Sequence, residues 1–294
     1  MAQPVPLSQA FANAPTNRLP NYPNPHGTLT VHASMSGDST VNTDPPYFSI
    51  AAQQNWHTLG TTLIANIPNI ADPTHILNRE TVPFREDATY HNSEGDVVRS
   101  AALYLLHPVN QALSSAQGVV IRCQSELTAN KIRSDITYFR APTAANPNYK
   151  AFAVVEFKKR GVIKDNEFRS TIKYNTVPNP QQLATATTAA LNHVSGKESQ
   201  FDGDAWILIK QAASYAINHR TPYVALFDWD FLVLVHFTNM VVPPPPAAPN
   251  APMPLPADVG DYCELEIIPN AQSQRMRGAL LGFLGHAFEN APAV

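Results

Sequence analysis

In the stretch FAVVEFKKR, residues 152–160, an acid and a base stand two positions apart inside an apolar run. Residues two apart on a strand share a face, so the carboxylate of Glu156 and the ammonium of Lys158 lie side by side. Burying either charge without a partner is costly, so the pair marks a working site or a strand-end salt bridge. A carboxylate and an amine in contact can hold a cation, orient a water or move a proton, all useful in hydrolysing a charged ester. Three more places carry polar groups of the same kind. Asp135 lies within KIRSDITYFR, residues 131–140, an otherwise strand-favouring run. Glu94 follows Ser93 at the head of a helical pattern, where an acid also complements the helix dipole. Gln211 and Tyr215 are four apart in WILIKQAASYAINH and share a helix face, as half-buried polar residues often do.

The elements that must position these groups can be read from pattern. Ser93 with an acid three residues on is a helix start, and Val97, Val98, Ala101, Leu105 and Val109 extend one apolar stripe, giving a helix to about residue 113. Residues 118–127 and 131–140 read as two strands, and the Pro/Asn loop APTAANPNYK leads to the strand at 152–160. Asp135 and Glu156 therefore fall on consecutive strands, a hairpin on which neighbouring carboxylates can share a cation. Residues 164–203 read as an insertion containing a helix from about 181 to 194, in which His193 is a surface histidine. A strong helix over 204–219 follows. Two apolar strands, 223–227 and 231–237, then flank the turn Asp228-Trp229-Asp230, and a strand over 262–268 and a helix over 275–290 close the chain.

Outside this core, residues 1–46 are rich in Pro, Asn, Ser and Thr and read as a flexible or surface-wrapping arm, and residues 47–90 as short helices and loops. Residues 47–294 make one domain, with core 93–237 and a Pro-rich linker at 242–258 that is a spacer or an adaptor-docking peptide. The net charge of −3 argues against a generally basic nucleic-acid binder, yet charge is unevenly spread. Residues 1–130 carry −4, residues 131–173 carry +6 and residues 174–294 carry −5. The positive block surrounds Glu156 and Lys158 and suits a phosphate backbone. Cys123 and Cys263 read as buried thiols of a reducing compartment. The start MAQPVPLSQAF has no classical secretion signal, and charged residues interrupt the longest apolar stretch, so the expectation is a protein of cytoplasm or nucleus with no membrane span.

The order is helix with Glu94, strand, strand with Asp135, strand with Glu156-Phe157-Lys158, helix with Gln211 and Tyr215, strand. This αβββαβ series resembles the PD-(D/E)XK nuclease superfamily, with an acid on the first helix, an Asp on the second strand and Glu-x-Lys on the third. Gln211 and Tyr215 resemble the Gln-x-x-x-Tyr helix of its RecB-like and phage exonuclease-like branches. The wording EFKKRGVI, LIKQAASYA and VALFDWD is similar to an uncharacterised fungal branch. The resemblance spans residues 93–237 and departs from the family at the insertion.

It implies an α/β, restriction-endonuclease-like fold, a central mixed sheet flanked by helices. It also implies a metal-dependent nuclease that prefers DNA to RNA. Asp135, Glu156 and the Phe157 carbonyl would hold Mg²⁺ or Mn²⁺, with Glu94 joining directly or through water. Lys158, its pKa lowered beside the cation, would orient or deprotonate the attacking water or stabilise developing charge, with Gln211 and Tyr215 positioning Lys158 or a substrate phosphate. Arg133, Lys159, Arg160 and Lys164 would meet the nucleic-acid backbone. A homodimer is left open. A catalytically silent nucleic-acid-binding or scaffold protein on the same fold is the alternative, and hydrolysis of another phosphoester a third reading.

Overall fold

The computed structural model describes residues 5–22, 50–82, 91–129, 132–142, 150–193, 200–244 and 253–290. In chain order these form β1 (Ile50–Gln53), α1 (Trp56–Ala65), α2 (Ile76–Arg79), α3 (Glu94–Ala101), a π-helical turn (Ala102–Leu106) and α4 (His107–Gln117). Then come β2 (Arg122–Ala129), β3 (Ile132–Arg140), β4 (Lys150–Phe157), α5 (Asp165–Arg169), β5 (Ile172–Tyr174), α6 (Pro180–His193) and α7 (Gly203–His219). The series ends with β6 (Tyr223–Phe227), β7 (Phe231–His236), β8 (Tyr262–Pro269) and α8 (Met276–Asn290). No described helix is long and apolar enough to cross a membrane.

The strands make one mixed sheet in the order β2-β3-β4-β6-β7-β8-β1-β5. β2, β3 and β4 run antiparallel, β4 and β6 parallel, and β6, β7 and β8 antiparallel, while β1 is parallel to both β8 and β5. The central strand β6 is apolar throughout because both of its faces are covered. Tyr223, Ala225 and Phe227 join the core under α1, α3, α4 and α8, and Val224 and Leu226 join the core under α7. Each such side chain, fully buried, stabilises by roughly 1.5–3 kcal/mol relative to exposure.

The α3 start follows its sequence signal. The Ser93 hydroxyl accepts the Asp96 N–H at 3.3 Å and the Asp96 carboxylate accepts the Ser93 N–H at 2.9 Å, satisfying donors that a helix start leaves open. α1 crosses α8 where Gly60 faces Gly278 and Gly282, and a Cβ at Gly60 would run into the Gly278 carbonyl. Only glycine allows that approach.

Several elements differ from the expectation. The strand expected from residue 118 begins at Arg122, leaving Val119 and Val120 exposed ahead of it. The region 47–90 includes a strand, β1, and the expected insertion at 164–203 supplies β5, which pairs with it at the sheet edge. The long helix from residue 93 is divided by the π-helical turn. Cys123 is exposed on β2, an edge strand among the described residues, whereas Cys263 is buried.

Residues 5–22 of the arm are packed down, with Leu7, Ala10, Phe11, Leu19 and Tyr22 buried. The Arg277 guanidinium of α8, itself buried, donates to the carbonyls of Asn17 at 2.7 Å and Tyr104 at 2.7 Å. The Trp229 indole donates to the Pro20 carbonyl at 3.0 Å, and Arg160 to that of Tyr22. Residues 1–4 and 23–46 of the arm and 245–252 of the proline-rich stretch lie outside the described residues, as does the His193 side chain.

Candidate functional site

Asp135 and Glu156 meet where the β3–β4 ladder gives way to side-chain bonds, at the end of β4 beside the end of β6. The register pairs Ile136 with Val155, which brings the next residues, Asp135 and Glu156, opposite one another. Each carboxylate takes a backbone donor from the other strand. The Asp135 Oδ2 accepts the Phe157 N–H at 2.7 Å, and the Glu156 Oε2 accepts the Asp135 N–H at 3.3 Å. The Glu156 Oε1 accepts both the Lys158 ammonium and the Tyr215 hydroxyl, each at 2.7 Å. Glu156 is 5 % exposed, so its charge is compensated almost wholly by these donors.

The helix α7 brings Tyr215 to this point because its own start is fixed. The Glu167 carboxylate accepts the N–H groups of Asp204 at 2.8 Å and Ala205 at 3.1 Å, placing an anion at the positive end of the helix. Gln211 is buried on the same helix, one turn before Tyr215. Lys158 lies one residue past β4, and its N–H still bonds the Phe227 carbonyl at 2.9 Å, continuing the β4–β6 pairing.

Asp228, for which a tight turn was the simpler expectation than a cation shared with Asp230, also holds the loop that follows Lys158. Its Oδ2 accepts Gly161 and Ile163 N–H at 3.1 and 2.8 Å, and its Oδ1 those of Asp230 and Phe231 at 3.0 and 2.9 Å. Trp229, between the two aspartates, takes a positive φ of 76°. The DWD triplet was the available signal, but the loop donors that it holds, Gly161 and Ile163, lie 65 residues or more away in the chain.

Electrostatics follow from this crowding. Burial, then the Glu156 charge, push the Asp135 carboxyl up to about 7 against the Phe157 N–H bond. Neighbouring chain shields the Glu94 carboxyl from part of its solvent, although the residue as a whole is exposed, and this raises its pKa, with Lys158 opposing and Glu156 adding. The expected lowering of the Lys158 pKa depends on a bound cation, whereas the protein's own groups act in the other direction. Burial pulls its pKa down, but Glu156, its hydrogen bond, Glu94 and Asp135 outweigh that and hold it above the ordinary lysine value. Burial, with Glu156 next, raises Tyr215, keeping its phenol a donor.

A divalent cation fits the donor chemistry in part. Two carboxylates on adjacent strands and the carbonyl end of β4 are hard oxygen donors of the type Mg²⁺ and Mn²⁺ take, and the Glu156 charge, which adds to burial in raising Asp135, is one that a cation would offset. Yet no three His, Cys, Asp or Glu side chains come together as a metal cage among the described residues. Glu94, solvent-exposed at the start of α3, acts on the pair through its charge.

The four expected backbone-binding cations divide. Arg133 is exposed, with only a loose 3.9 Å pair to Glu126, and Lys159 is half-buried. Arg160 is not offered to a ligand: it is 7 % exposed and pairs with Asp230 at 2.8 Å. Lys164 pairs with Asp204 at 2.5 Å and Glu167 at 3.6 Å, so its charge is spent on the start of α7. A polar cleft of about 430 Å³ lined by Gln53, Gln54, Asn55, Asn175, Thr176, Val177 and Arg275 contains none of the candidate residues. No family model, curated protein or solved structure matches the chain.

Proposed function

We propose that the chain is a divalent-cation-dependent nuclease of PD-(D/E)XK type, acting on DNA in preference to RNA. The observation that carries the reading is Glu156, which faces Asp135 across the hairpin while Lys158 and Tyr215 share its Oε1. The αβββαβ order, with β4 parallel to β6 and antiparallel to β3, accords with a restriction-endonuclease-like core.

Asp135, Glu156 and the Phe157 carbonyl would hold Mg²⁺ or Mn²⁺, with Glu94 nearby. Bound there, the cation supplies Lewis-acid stabilisation of the charge that develops on a phosphodiester and a lowered pKa for its water. The chain's own residues do the rest. Lys158 presents a protonated amine that stabilises charge on the phosphoryl oxygens and orients the attacking water. Tyr215 holds the Glu156 carboxylate in place so that its second oxygen stays directed toward Asp135. Asp228 fixes the loop after Lys158, and Arg133 and Lys159 supply charge for the flanking backbone.

A second reading has its own observation. Asp135 and Glu156 already accept internal donors, Arg160 and Lys164 are internally paired, and Glu94 completes no cage. A silent nucleic-acid-binding descendant on the same fold would look like this. A homodimer, an adaptor on the proline-rich stretch and an intracellular setting are part of the proposal and rest on sequence alone.

Cleavage of labelled single- and double-stranded DNA and RNA with Mg²⁺ or Mn²⁺ separates the two readings. Metal-dependent cutting that is lost in Asp135→Ala and Lys158→Ala supports the nuclease. Binding without cutting by the folded wild type, unchanged by either substitution, supports the silent protein.

A further inference from the structure

At the far end of the hairpin from Glu156, the register sets Arg140 directly opposite Lys150. Residues paired in this way have their Cβ atoms about 5 Å apart on one face, and like charges there repel. Carboxylates usually flank such a pair. Among the described residues the charges acting on Lys150 are Arg140 and Arg220, both positive, and Glu289 acts on Arg140. Lys150 Nζ and Arg140 Nε are shielded from solvent and have no hydrogen-bond partner among the described residues.

The surroundings of the two arginines are fixed. The Arg140 guanidinium lies 4.6 Å from the Phe288 ring centroid, a cation–π contact on the last turn of α8. Arg220, in a left-handed conformation at the end of α7, donates to the carbonyls of Pro254 at 2.9 Å and Pro243 at 2.5 Å, and so ties both flanks of the proline-rich stretch to this corner. These contacts orient the arginines but neutralise neither. Both side chains remain half-exposed, and both act through their charge on Lys150.

We propose that Arg140, Lys150 and Arg220 form a binding site for a phosphate-type oxyanion. A doubly charged tetrahedral anion accepts from several cations at once, and charge-assisted hydrogen bonds of this kind are the strong ones. It would give Lys150 Nζ and Arg140 Nε the acceptors they lack, with the flexible lysine stem turning to meet the ligand. The phosphate has two sources, free phosphate or the backbone of a nucleic-acid strand. Lys150 and Glu156 are six residues apart on β4, roughly 20 Å at the rise of a strand, so a bound strand would need to span that distance. The site stands whether or not the carboxylate end is a nuclease.

The test is calorimetric unfolding of the full chain in inorganic phosphate against chloride at matched ionic strength, for wild type, Lys150→Met and Lys150→Glu. The expected result is a wild-type midpoint that rises saturably with phosphate, by about 2–4 °C at concentrations well above the dissociation constant. Both variants should start from a higher midpoint and lose the saturable rise, since Lys150→Glu places an anion among the arginines. A wild-type response no larger than that of the two variants overturns the proposal. Should Lys150→Met not fold, Lys150→Glu decides alone. Anisotropy of a labelled DNA oligonucleotide then identifies the source. Affinity that falls at least threefold in Lys150→Glu supports a nucleic-acid strand, and unchanged affinity alongside a lost phosphate response supports free phosphate.

Discussion

The two ends of the β3–β4 hairpin carry the same density of charge and treat it in opposite ways. At one end Asp135 and Glu156 repel, yet Phe157 N–H, Asp135 N–H, Lys158 and Tyr215 are interleaved between them. At the other end Arg140 and Lys150 repel and nothing in the described structure is placed between them. The carboxylate end is thus assembled from within the chain and would keep its shape without a ligand. The cationic end is completed from outside.

The largest effects should come from breaking the assembled end. Asp135→Ala and Lys158→Ala should each lower metal-dependent cleavage by on the order of 10²–10⁴-fold while leaving the far-ultraviolet spectrum unchanged. Asp228→Ala strips the acceptor from four N–H groups, and chemical denaturation should show a loss of about 3 kcal/mol or more, with cleavage falling as the Lys158 loop loosens. The cationic end should respond with the opposite sign. Lys150→Met removes a repulsion and should stabilise the protein by about 0.5–1 kcal/mol in a phosphate-free urea titration.

Acid and base titrations sharpen the contrast further. Burial raises the Asp228 carboxyl from its ordinary 3.8 to about 7, so between those values the folded state binds more protons and stability falls as pH rises. Burial, Arg140 and Arg220 lower Lys150 from 10.5 to about 8, so there the unfolded state binds more protons and stability rises with pH. The contributions of the two groups, read as the difference in urea midpoint between wild type and Asp228→Asn across pH 4–7 and between wild type and Lys150→Met across pH 8–10, should slope in opposite directions.

What the sequence made legible was local. The Ser93 cap, the Glu156/Lys158 alternation, the helix carrying Gln211 and Tyr215, and the hairpin joining Asp135 to Glu156 all rest on contacts within a few residues or on one strand pairing. β1 and β5 escaped notice because IAAQ and IKY are too short to show alternation and gain their strand character only by pairing with each other and β8. Arg160 and Lys164 looked available because Asp230 lies 70 residues on and Asp204 lies 40. Their partners are a property of the folded chain. The Arg140–Lys150 pairing was equally hidden, since a register irregularity at Tyr138/Phe139 shifts the count between the strands.

The packing of residues 5–22 against Trp229, Arg160 and Arg277 has a consequence in time. The Leu7 N–H bonds the Glu80 carbonyl at 2.9 Å, whereas the carbonyls of Asn17, Pro20 and Tyr22 meet partners more than 130 positions later, so during synthesis they emerge long before those partners exist. Contacts of such separation form late and slowly. The last described helix therefore acts as a late fastening for the first described segment, and until it is made the carbonyls of Ala10 and Asn17 lack the Arg277 guanidinium that ties them down.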